Sequence, residues 1–209
     1  MPKPEAKALQ KSRIQHQNRT AILVAALEVF SAYGYRGATV DQIATRAGLS
    51  KPNILYYFRR KEDIYVAVME QTLDEWLNPL RGLDVTGDPV GELTRYISEK
   101  IDSSFAHPQA SRLFANEVLH GAPHVQKFLK GPLRALVEEK ASVIRQWMAE
   151  GRISAVDPSH FIFAIWAVTQ HYADFSAQVS AVLGQEPKKE NVKLAVTEIL
   201  LRGLATISV

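Results

Sequence analysis

The chain has 209 residues, of which 46% are hydrophobic, and it carries 25 Lys and Arg, 22 Asp and Glu, and no cysteine. This length and apolar content fit one large domain, or a small one joined to a larger one, and exclude a disordered chain; the lack of cysteine excludes disulfide frameworks, zinc ribbons and thiol nucleophiles. Because the longest apolar run is only Phe161–Val168 and the N-terminus is polar, we expect no membrane span, no signal peptide and a cytoplasmic location.

The two ends of the chain differ in charge. Residues 1–61 carry 11 Lys and Arg against 3 Asp and Glu, a balance of +8, whereas residues 62–209 have a balance of −5. A basic head on an acidic body predicts that the head faces a polyanion. The alternative is a basic segment that only aids solubility.

The predicted elements are all helical, because apolar residues recur at helical spacing and no run alternates at period two. Residues 1–17 are polar and basic, and we expect a flexible arm there. The first helix is predicted from Asn18 to Tyr33, where Gly34 ends it.

Capping residues mark two short helices that follow. Thr39 and Gln42 form a capping-box pattern, and their helix is predicted to end at Gly48, because glycine can adopt a left-handed turn. Ser50 caps the next helix, predicted over residues 51–57, with Pro52 in its first turn.

Long helices are predicted beyond residue 60, separated by glycine and proline. Pro132 predicts a kink or a break inside one of them. The predicted bounds are 61–80, 89–105, 108–119, 123–150, 158–183 and 190–207. We therefore expect an all-α protein, with a three-helix head over residues 18–62 and a long-helix bundle over residues 63–209.

The head contains the pattern of a helix-turn-helix, in which the second helix enters the major groove of DNA. We expect its inner side to be buried by Ile43, Leu49, Ile54 and Leu55. The outer and flanking sides then offer side chains for bases and phosphates. These candidates are Lys51, Asn53, Tyr56 and Tyr57. The alternative is an ordinary helical hairpin with Tyr56 and Tyr57 as core aromatics.

Phosphate contacts are predicted at two helix starts. Thr39 and the free N–H groups beside it can bind a phosphate, aided by the helix dipole. Lys61, with Arg59 and Arg60 next to it, is a second phosphate anchor.

The stretch Gly37–Phe58 resembles the signature of TetR-family transcriptional regulators. The resemblance implies a transcriptional repressor that binds a palindromic double-stranded DNA operator. Two departures from the family pattern, Pro52 and Arg59–Arg60, mean that an operator sequence cannot be carried over.

Segments outside the head are similar to a pyrimidine-responsive branch of the same family. They are Pro108–Phe114, Gly121–Pro123 and Ile165–Phe175. This similarity implies uracil or thymine as the small-molecule effector, although a different small molecule remains an alternative.

Gln170 and Trp166 are the predicted effector contacts. They lie one helical turn apart and project into the same space. The Gln side-chain amide can form hydrogen bonds with the neighbouring donor and acceptor atoms of a pyrimidine, and the Trp ring offers a flat face on which the pyrimidine can stack. Trp76 matches an aromatic residue of the family. The alternative is that both tryptophans are core residues and Gln170 bonds a neighbouring carbonyl.

The predicted helix 158–183 carries two apolar stripes, which indicates partners on two sides. The resemblance implies that the last two helices pair with their two-fold mates in a homodimer. The predicted interface residues are Ile165, Val168, Tyr172, Phe175, Val179, Ile199 and Gly203. The alternative is that both stripes belong to the core of one chain.

We expect neither an enzyme nor a cofactor or metal site, since the sequence lacks the common nucleophile and metal-ligand motifs. The alternatives are a small all-α enzyme acting on a pyrimidine and a helical adaptor. Asp102, Glu117 and Asp174 could face a cavity, which the sequence leaves open.

Overall fold

A computed structural model describes the backbone of residues 4–204 and the side chains of residues 13–204. Over that range the chain is helical and has no strand, which confirms the all-α prediction. The chain divides into two compact units, residues 1–72 and residues 73–209. None of the described helices is long and apolar enough to cross a membrane.

The helices are numbered in chain order. Their bounds are α1 Pro4–Gly37, α2 Val40–Ala47, α3 Lys51–Tyr57, α4 Lys61–Arg81, α5 Pro89–Ala106, α6 Pro108–Leu119, α7 Gln126–Phe128, α8 Arg134–Ala149, α9 Pro158–Asp174, α10 Ser176–Leu183 and α11 Lys189–Leu201. A π-helical turn, Leu129–Leu133, joins α7 to α8.

Helix α1 begins at Pro4 rather than at Asn18, so the segment expected to be an arm is helical from residue 4 onward. Proline suits the first turn of a helix, and the Glu, Ala, Lys, Leu and Gln residues that follow it are strong helix formers. Residues 1–3 lie outside the described residues. Gly34 interrupts the end of α1 with a φ of 67°, which agrees with its predicted role as a helix terminator.

The helix predicted over residues 123–150 is broken around Pro132, which confirms the predicted kink or break. Residues 129–133 form a π-helical turn that contains this proline, and α8 follows directly. A wider turn suits proline because its ring lacks an N–H group and clashes with a regular α-helix.

The prediction of a single helix over residues 158–183 is wrong. The helix breaks at Phe175, whose backbone has φ −113° and ψ 30°. The sequence has no proline or glycine at this point. A tertiary contact marks the break instead: the Arg112 guanidinium donates to the carbonyl oxygen of Ala173 and to the Ser176 hydroxyl, both at 3.3 Å. Helix α11 ends at Leu201, and residues 205–209 lie outside the described range.

Each unit has its own apolar core. In the smaller unit, fully buried residues of α1 to α4 pack together, and Phe30 meets Tyr65 edge to face at 4.9 Å between ring centroids. In the larger unit, α5 packs against both α9 and α11. Its inward face includes Leu93, Tyr96 and Ile97, all fully buried. Helix α5 is therefore central to the larger unit, and its inward side chains lie among those of α9 and α11.

Candidate functional site

Helices α2 and α3 form the predicted helix-turn-helix, and local hydrogen bonds set its geometry. The Thr39 hydroxyl accepts from the Gln42 N–H at 3.2 Å, while the Thr39 N–H donates to Gln42 Oε1 at 2.8 Å, completing the capping box. Gly48 adopts the left-handed conformation, with φ 66°. The Ser50 hydroxyl then caps α3 by accepting from the Asn53 N–H at 3.3 Å.

The inner side of the motif is buried mostly as the sequence predicts. Ile43 and Ile54 are fully buried, and Ala44 lies beside them. Leu55 is instead exposed, because Ile54 takes the inward position on the short helix α3 and the next residue lies about 100° further round.

Lys51 and Asn53, the predicted base-reading residues, lie in the first turn of α3. Lys51 is exposed, and its ammonium forms an ion pair with Asp41 Oδ2 at 2.8 Å. Asn53 is half-buried. The exposed pair with Asp41 links α3 to α2 and would be exchanged for DNA contacts at little cost.

The two predicted tyrosines are held by helix α1. The Tyr56 hydroxyl accepts from Gln15 Nε2, and the Tyr57 hydroxyl accepts from Asn18 Nδ2, both at 3.2 Å. Tyr56 is exposed and Tyr57 half-buried, so neither is a fully buried core aromatic. Each hydroxyl keeps its own proton, which it can donate to a phosphate oxygen.

Lys61 is more constrained than a free phosphate anchor. Its ammonium donates to the carbonyl oxygens of Tyr35 at 2.7 Å and Ala38 at 2.8 Å, and it lies 4.6 Å from the centre of the Tyr35 ring. An ammonium has three N–H groups, so one remains for a phosphate. Lys61 therefore ties the start of α4 to the turn that precedes α2.

The larger unit brings both predicted tryptophans against helix α5. Trp76 is buried, meets Phe114 edge to face, and has the Lys100 ammonium 5.1 Å from its ring centre. Trp166 is half-buried and donates from Nε1 to the Tyr96 hydroxyl at 2.6 Å. Because Tyr96 and Lys100 lie one turn apart on α5, the two tryptophans are placed along one face of this helix.

Gln170 follows Trp166 by one turn on α9, the helix that packs against α5. Tyr96 contacts Trp166, and further along both helices Phe105 stacks on Tyr172 with ring centroids 6.4 Å apart, so α5 and α9 run in the same direction. Gln170 is half-buried, and no hydrogen bond reaches its side-chain amide from the described residues.

A buried lysine and a carboxylate accompany these residues. Lys100 is only 4% exposed; burial lowers the pKa of its ammonium to about 8, and the charge of Asp174 partly offsets this effect. Burial raises the pKa of Asp174, against the opposing effects of a Ser111 hydrogen bond and of nearby cations. The Ser111 hydroxyl donates to Asp174 Oδ1 at 2.5 Å.

A cavity of about 360 Å³ opens beside this cluster. Its wall includes Ser104, one turn beyond Lys100 on α5, and Ala173, next to Asp174 on α9. Trp76, Trp166 and Gln170 are not among the residues that line it.

The chain matches known proteins over nearly its whole length. Residues 22–68 match the family described as bacterial regulatory proteins, tetR family, and residues 69–206 match the family described as YcdC-like protein, C-terminal region. The chain is 46% identical over 181 residues to the HTH-type transcriptional regulator RutR of Escherichia coli K12, covering 87% of this chain and 85% of that protein. The chain belongs to the TetR family.

Other relatives agree with this membership. The transcriptional repressor NicS of Pseudomonas putida is 29% identical, over 92% of this chain and 95% of its own. Among solved structures, the fatty acid degradation regulator FadR of Bacillus halodurans has a TM-score of 0.69 at 19% identity, covering 88% of this chain and 94% of its own. A TetR/AcrR-family regulator of Thermobifida fusca has a TM-score of 0.67 at 24% identity, covering 90% and 98%. These two show the fold alone.

The protein is therefore a DNA-binding transcriptional regulator, and α2 and α3 are the helix-turn-helix of its TetR-type N-terminal region. TetR regulators bind DNA operators and small-molecule effectors, and they act as dimers.

The structure corrects part of the predicted dimer interface. Ile165 is fully buried within its own chain and belongs to the core, so it cannot contact a partner. Val168 and Tyr172 are half-buried and pack against the same core. Gly203 lies beyond the end of α11 rather than on its helical face.

Large apolar side chains remain exposed on α9, on α10, on α11 and at the junction of α9 with α10. Phe175 is 53% exposed and Ile199 is 72% exposed, while Val179 is half-buried. Exposed large apolar residues of α9 to α11 outside the predicted interface are Phe163, Val182, Leu183 and Leu194. We refer to the exposed side chains of Phe175, Val182, Leu183, Leu194 and Ile199, which lie on α10, on α11 and at the junction of α9 with α10, as the C-terminal apolar face. Because the helix breaks at Phe175, the side chains of α10 do not continue the helical repeat of α9. The spacing of apolar residues in the sequence could not show this break.

Sequence reasoning missed Tyr96 and Lys100, and it left the environment of Asp174 open. A usable signal exists for Lys100, since it falls in phase with the inward positions Leu93, Ile97 and Ile101 of α5. A lysine on the apolar face of a helix is seldom fully buried without a reason.

Proposed function

We propose that this regulator is a repressor of pyrimidine metabolism genes that leaves its operator when uracil or thymine binds. The effector assignment is carried by Gln170, whose half-buried amide has no partner among the described residues and lies one turn from Trp166. Both residues fall in Ile165–Phe175, the segment that resembles the pyrimidine-responsive branch of the family. The amide therefore has donor and acceptor capacity that a ligand with matching groups can engage.

At the operator, we assign base reading to Lys51 and Asn53, since the first residues of a recognition helix meet base edges. Tyr56 flanks them and is exposed. Phosphate contacts are assigned to Tyr57, to the start of α2 at Thr39, and to the remaining N–H group of Lys61.

The protein acts as a homodimer on a palindromic operator in this proposal. A two-fold protein reads two half-sites about one helical turn apart, so both heads contribute to affinity. The C-terminal apolar face supports the pairing because exposed apolar surface of this kind marks an interface.

Release requires that the effector bind better to the conformation with the lower operator affinity. We expect Trp76, Trp166 and Gln170 to form contacts to the pyrimidine that differ between the two conformations. Coupling of about 1–3 kcal/mol would weaken operator binding roughly 5- to 150-fold.

Two measurements test this function. Uracil affinity is measured by calorimetry, and operator affinity is measured by fluorescence anisotropy with and without saturating uracil, using DNA from upstream of the gene. Gln170→Leu should keep DNA binding and lose the uracil response. Gln146→Leu is the control, because Gln146 is exposed on α8 and bonds only Glu150 among the described residues. Absence of uracil binding at millimolar concentration would refute the effector assignment and leave DNA binding intact.

A TetR-type regulator with a different effector is the second candidate, and the cavity supports it. The cavity lies next to the predicted residues but is not lined by them. Arg112 and Ser176 are among its polar lining residues. A thermal-shift screen of small carboxylic acids against wild type and Arg112→Leu tests this candidate, which predicts a ligand whose stabilisation depends on Arg112.

A further inference from the structure

Two amide side chains of α1 hold the hydroxyl groups of the last two residues of α3. Gln15 Nε2 donates to the Tyr56 hydroxyl at 3.2 Å. Asn18 Nδ2 donates to the Tyr57 hydroxyl, also at 3.2 Å. The two tyrosine rings are perpendicular, with centroids 5.2 Å apart. Each hydroxyl therefore has its own amide partner on α1.

The neighbouring residues of α1 fix Asn18 in this place. Ile22 follows Asn18 by one turn and is fully buried in the core of the smaller unit. The guanidinium of Arg19 lies 5.3 Å from the centre of the buried ring of Phe58, the residue after α3. Asn18 is thus held beside the end of α3 by a core contact and by a cation over an aromatic face.

An amide that donates to a tyrosine hydroxyl decides where the hydroxyl proton points. The phenol oxygen accepts on the side of the amide, so its own O–H is directed away from it. Among the described residues, no acceptor receives the proton of Tyr56 or of Tyr57. Both protons are therefore available to an acceptor outside the chain, such as a phosphate oxygen of DNA.

Helix stability does not explain Asn18. Asparagine is one of the weaker helix formers, and Asn18 lies inside α1 rather than at one of its ends. Its side chain is half-buried, where one hydrogen bond adds only modestly to the stability of the fold. The contact with Tyr57 is the interaction that accounts for an amide at this position.

We infer that Asn18 is a positioning residue for operator binding, whose amide holds the Tyr57 hydroxyl with its proton directed toward a DNA phosphate. Gln15 does the same for Tyr56. The inference rests on the phosphate contact proposed above for Tyr57. It adds a part in DNA binding for α1, which lies outside the helix-turn-helix.

Two replacements of Asn18 change the hydroxyl in different ways. In Asn18→Asp the carboxylate accepts the Tyr57 proton, so the contact persists with its direction reversed and the donor to phosphate is lost. In Asn18→Leu the amide is removed, and the hydroxyl keeps its proton but is free to rotate. Asn18→Asp should therefore weaken DNA binding more than Asn18→Leu does.

The experiment is a double-mutant cycle of Asn18→Leu and Tyr57→Phe in the full chain. Affinity is measured by fluorescence anisotropy for DNA from upstream of the gene and for an unrelated duplex. Tyr57→Phe should weaken binding to both roughly 10- to 150-fold, the factor expected for a hydrogen bond to a charged group. Asn18→Leu should weaken both roughly 2- to 10-fold, and should add nothing in the Tyr57→Phe background, because its effect requires the hydroxyl.

Gln17 provides the matched controls. It lies next to Asn18 on α1, is exposed, and has no hydrogen bond with the described residues. Gln17→Leu should bind DNA like the wild type. Gln17→Glu measures the effect of an added negative charge alone, and it should weaken binding less than Asn18→Asp does.

The salt dependence distinguishes positioning from a loss of structure. Asn18→Leu removes no cation, so the salt slope of DNA binding should equal that of the wild type while the affinity falls. The melting temperature should stay close to that of Gln17→Leu. A lower slope together with a lower melting temperature would assign Asn18 a structural role and overturn the inference.

The cycle separates this inference from the contact on which it rests. If Tyr57→Phe binds both duplexes like the wild type, the phosphate contact of Tyr57 and the role of Asn18 both fail. If Tyr57→Phe weakens binding but Asn18→Leu has no effect, or has the same effect in both backgrounds, the inference is overturned and the phosphate contact stands. Asn18→Asp that binds as well as Gln17→Glu would also overturn it.

Discussion

At the scale of single residues, Lys100 makes stability depend on pH in a defined window. Its folded pKa of about 8 lies below the value of 10.5 for an exposed lysine, so between these values the unfolded chain binds more protons than the folded one. Stability should therefore rise as pH increases from about 8 to 10, by at most about 3 kcal/mol.

This pH effect is measured as the difference between wild type and Lys100→Met in urea unfolding at pH 7, 8, 9 and 10 without effector. Burial raises the pKa of Tyr96, so its effect on stability begins near pH 9, where the unfolded tyrosine starts to ionise, and it is common to both proteins. Burial also raises the pKa of Asp174, and Lys100→Asn serves as a second variant that keeps a polar side chain at the same position. A pH-independent difference would show that the Lys100 ammonium is not desolvated in the ligand-free protein.

Lys61 should serve both the fold of the head and its affinity for DNA. Lys61→Ala should weaken binding to operator and unrelated DNA to a similar degree, and lower the salt slope by about 0.9, because one phosphate contact is lost. The melting temperature should also fall, since the carbonyls of Tyr35 and Ala38 lose their donor. Lys61→Arg keeps the charge and should retain most of the slope. If Lys61→Ala changed the DNA sequence preference but left the salt dependence of binding unchanged, Lys61 would read bases and Lys51 would contact phosphate, contrary to our assignment.

At the scale of elements, the turn between α2 and α3 depends on the backbone of Gly48. Its φ of 66° is a conformation that side chains with a Cβ avoid, although a Cβ there would meet no atom within 4 Å. Gly48→Ala should therefore destabilise the head by roughly 1–2 kcal/mol through the backbone alone, and operator affinity should fall with it.

Gly37→Ala is the matched control for Gly48→Ala, measured by urea unfolding. Gly37 lies in α1 of the same unit, its φ is not positive, and a Cβ there would meet only the Cβ of Tyr33 at 3.5 Å, an ordinary contact distance. Because alanine favours helical backbone, this change should be neutral or stabilising. Equal destabilisation by both changes would contradict the importance of the left-handed turn.

At the scale of the whole molecule, operator binding should require the C-terminal apolar face. Phe175→Glu should produce monomers by light scattering, because two carboxylates would meet across the two-fold interface in an apolar setting. Operator affinity should be lost, since one head forfeits the contacts of the second half-site. Leu119→Glu is the control, as Leu119 is 79% exposed and lies on α6 rather than on α9 to α11. A monomeric Phe175→Glu protein with normal operator affinity would contradict the dimer proposal.

Features that depend on a few neighbouring residues could be predicted from the sequence. The capping box at Thr39, the turn at Gly48, the Ser50 cap and the break at Pro132 all arise from interactions within about one helical turn, so their signals are local. The same local patterns carry the family resemblance of the head. The all-α class and the DNA-binding motif follow from them.

Burial and contacts between residues far apart in the sequence could be seen only in the tertiary structure. Ile165 and Phe175 share one predicted stripe, yet Ile165 is buried in its own chain and Phe175 is exposed, because the helix breaks beside a contact from Arg112. The partners of Lys61 lie 23 and 26 residues away. The charge of Asp174 influences Lys100 only because α5 packs against α9. Burial and electrostatic environment are properties of the packed chain, and spacing along one helix does not contain them.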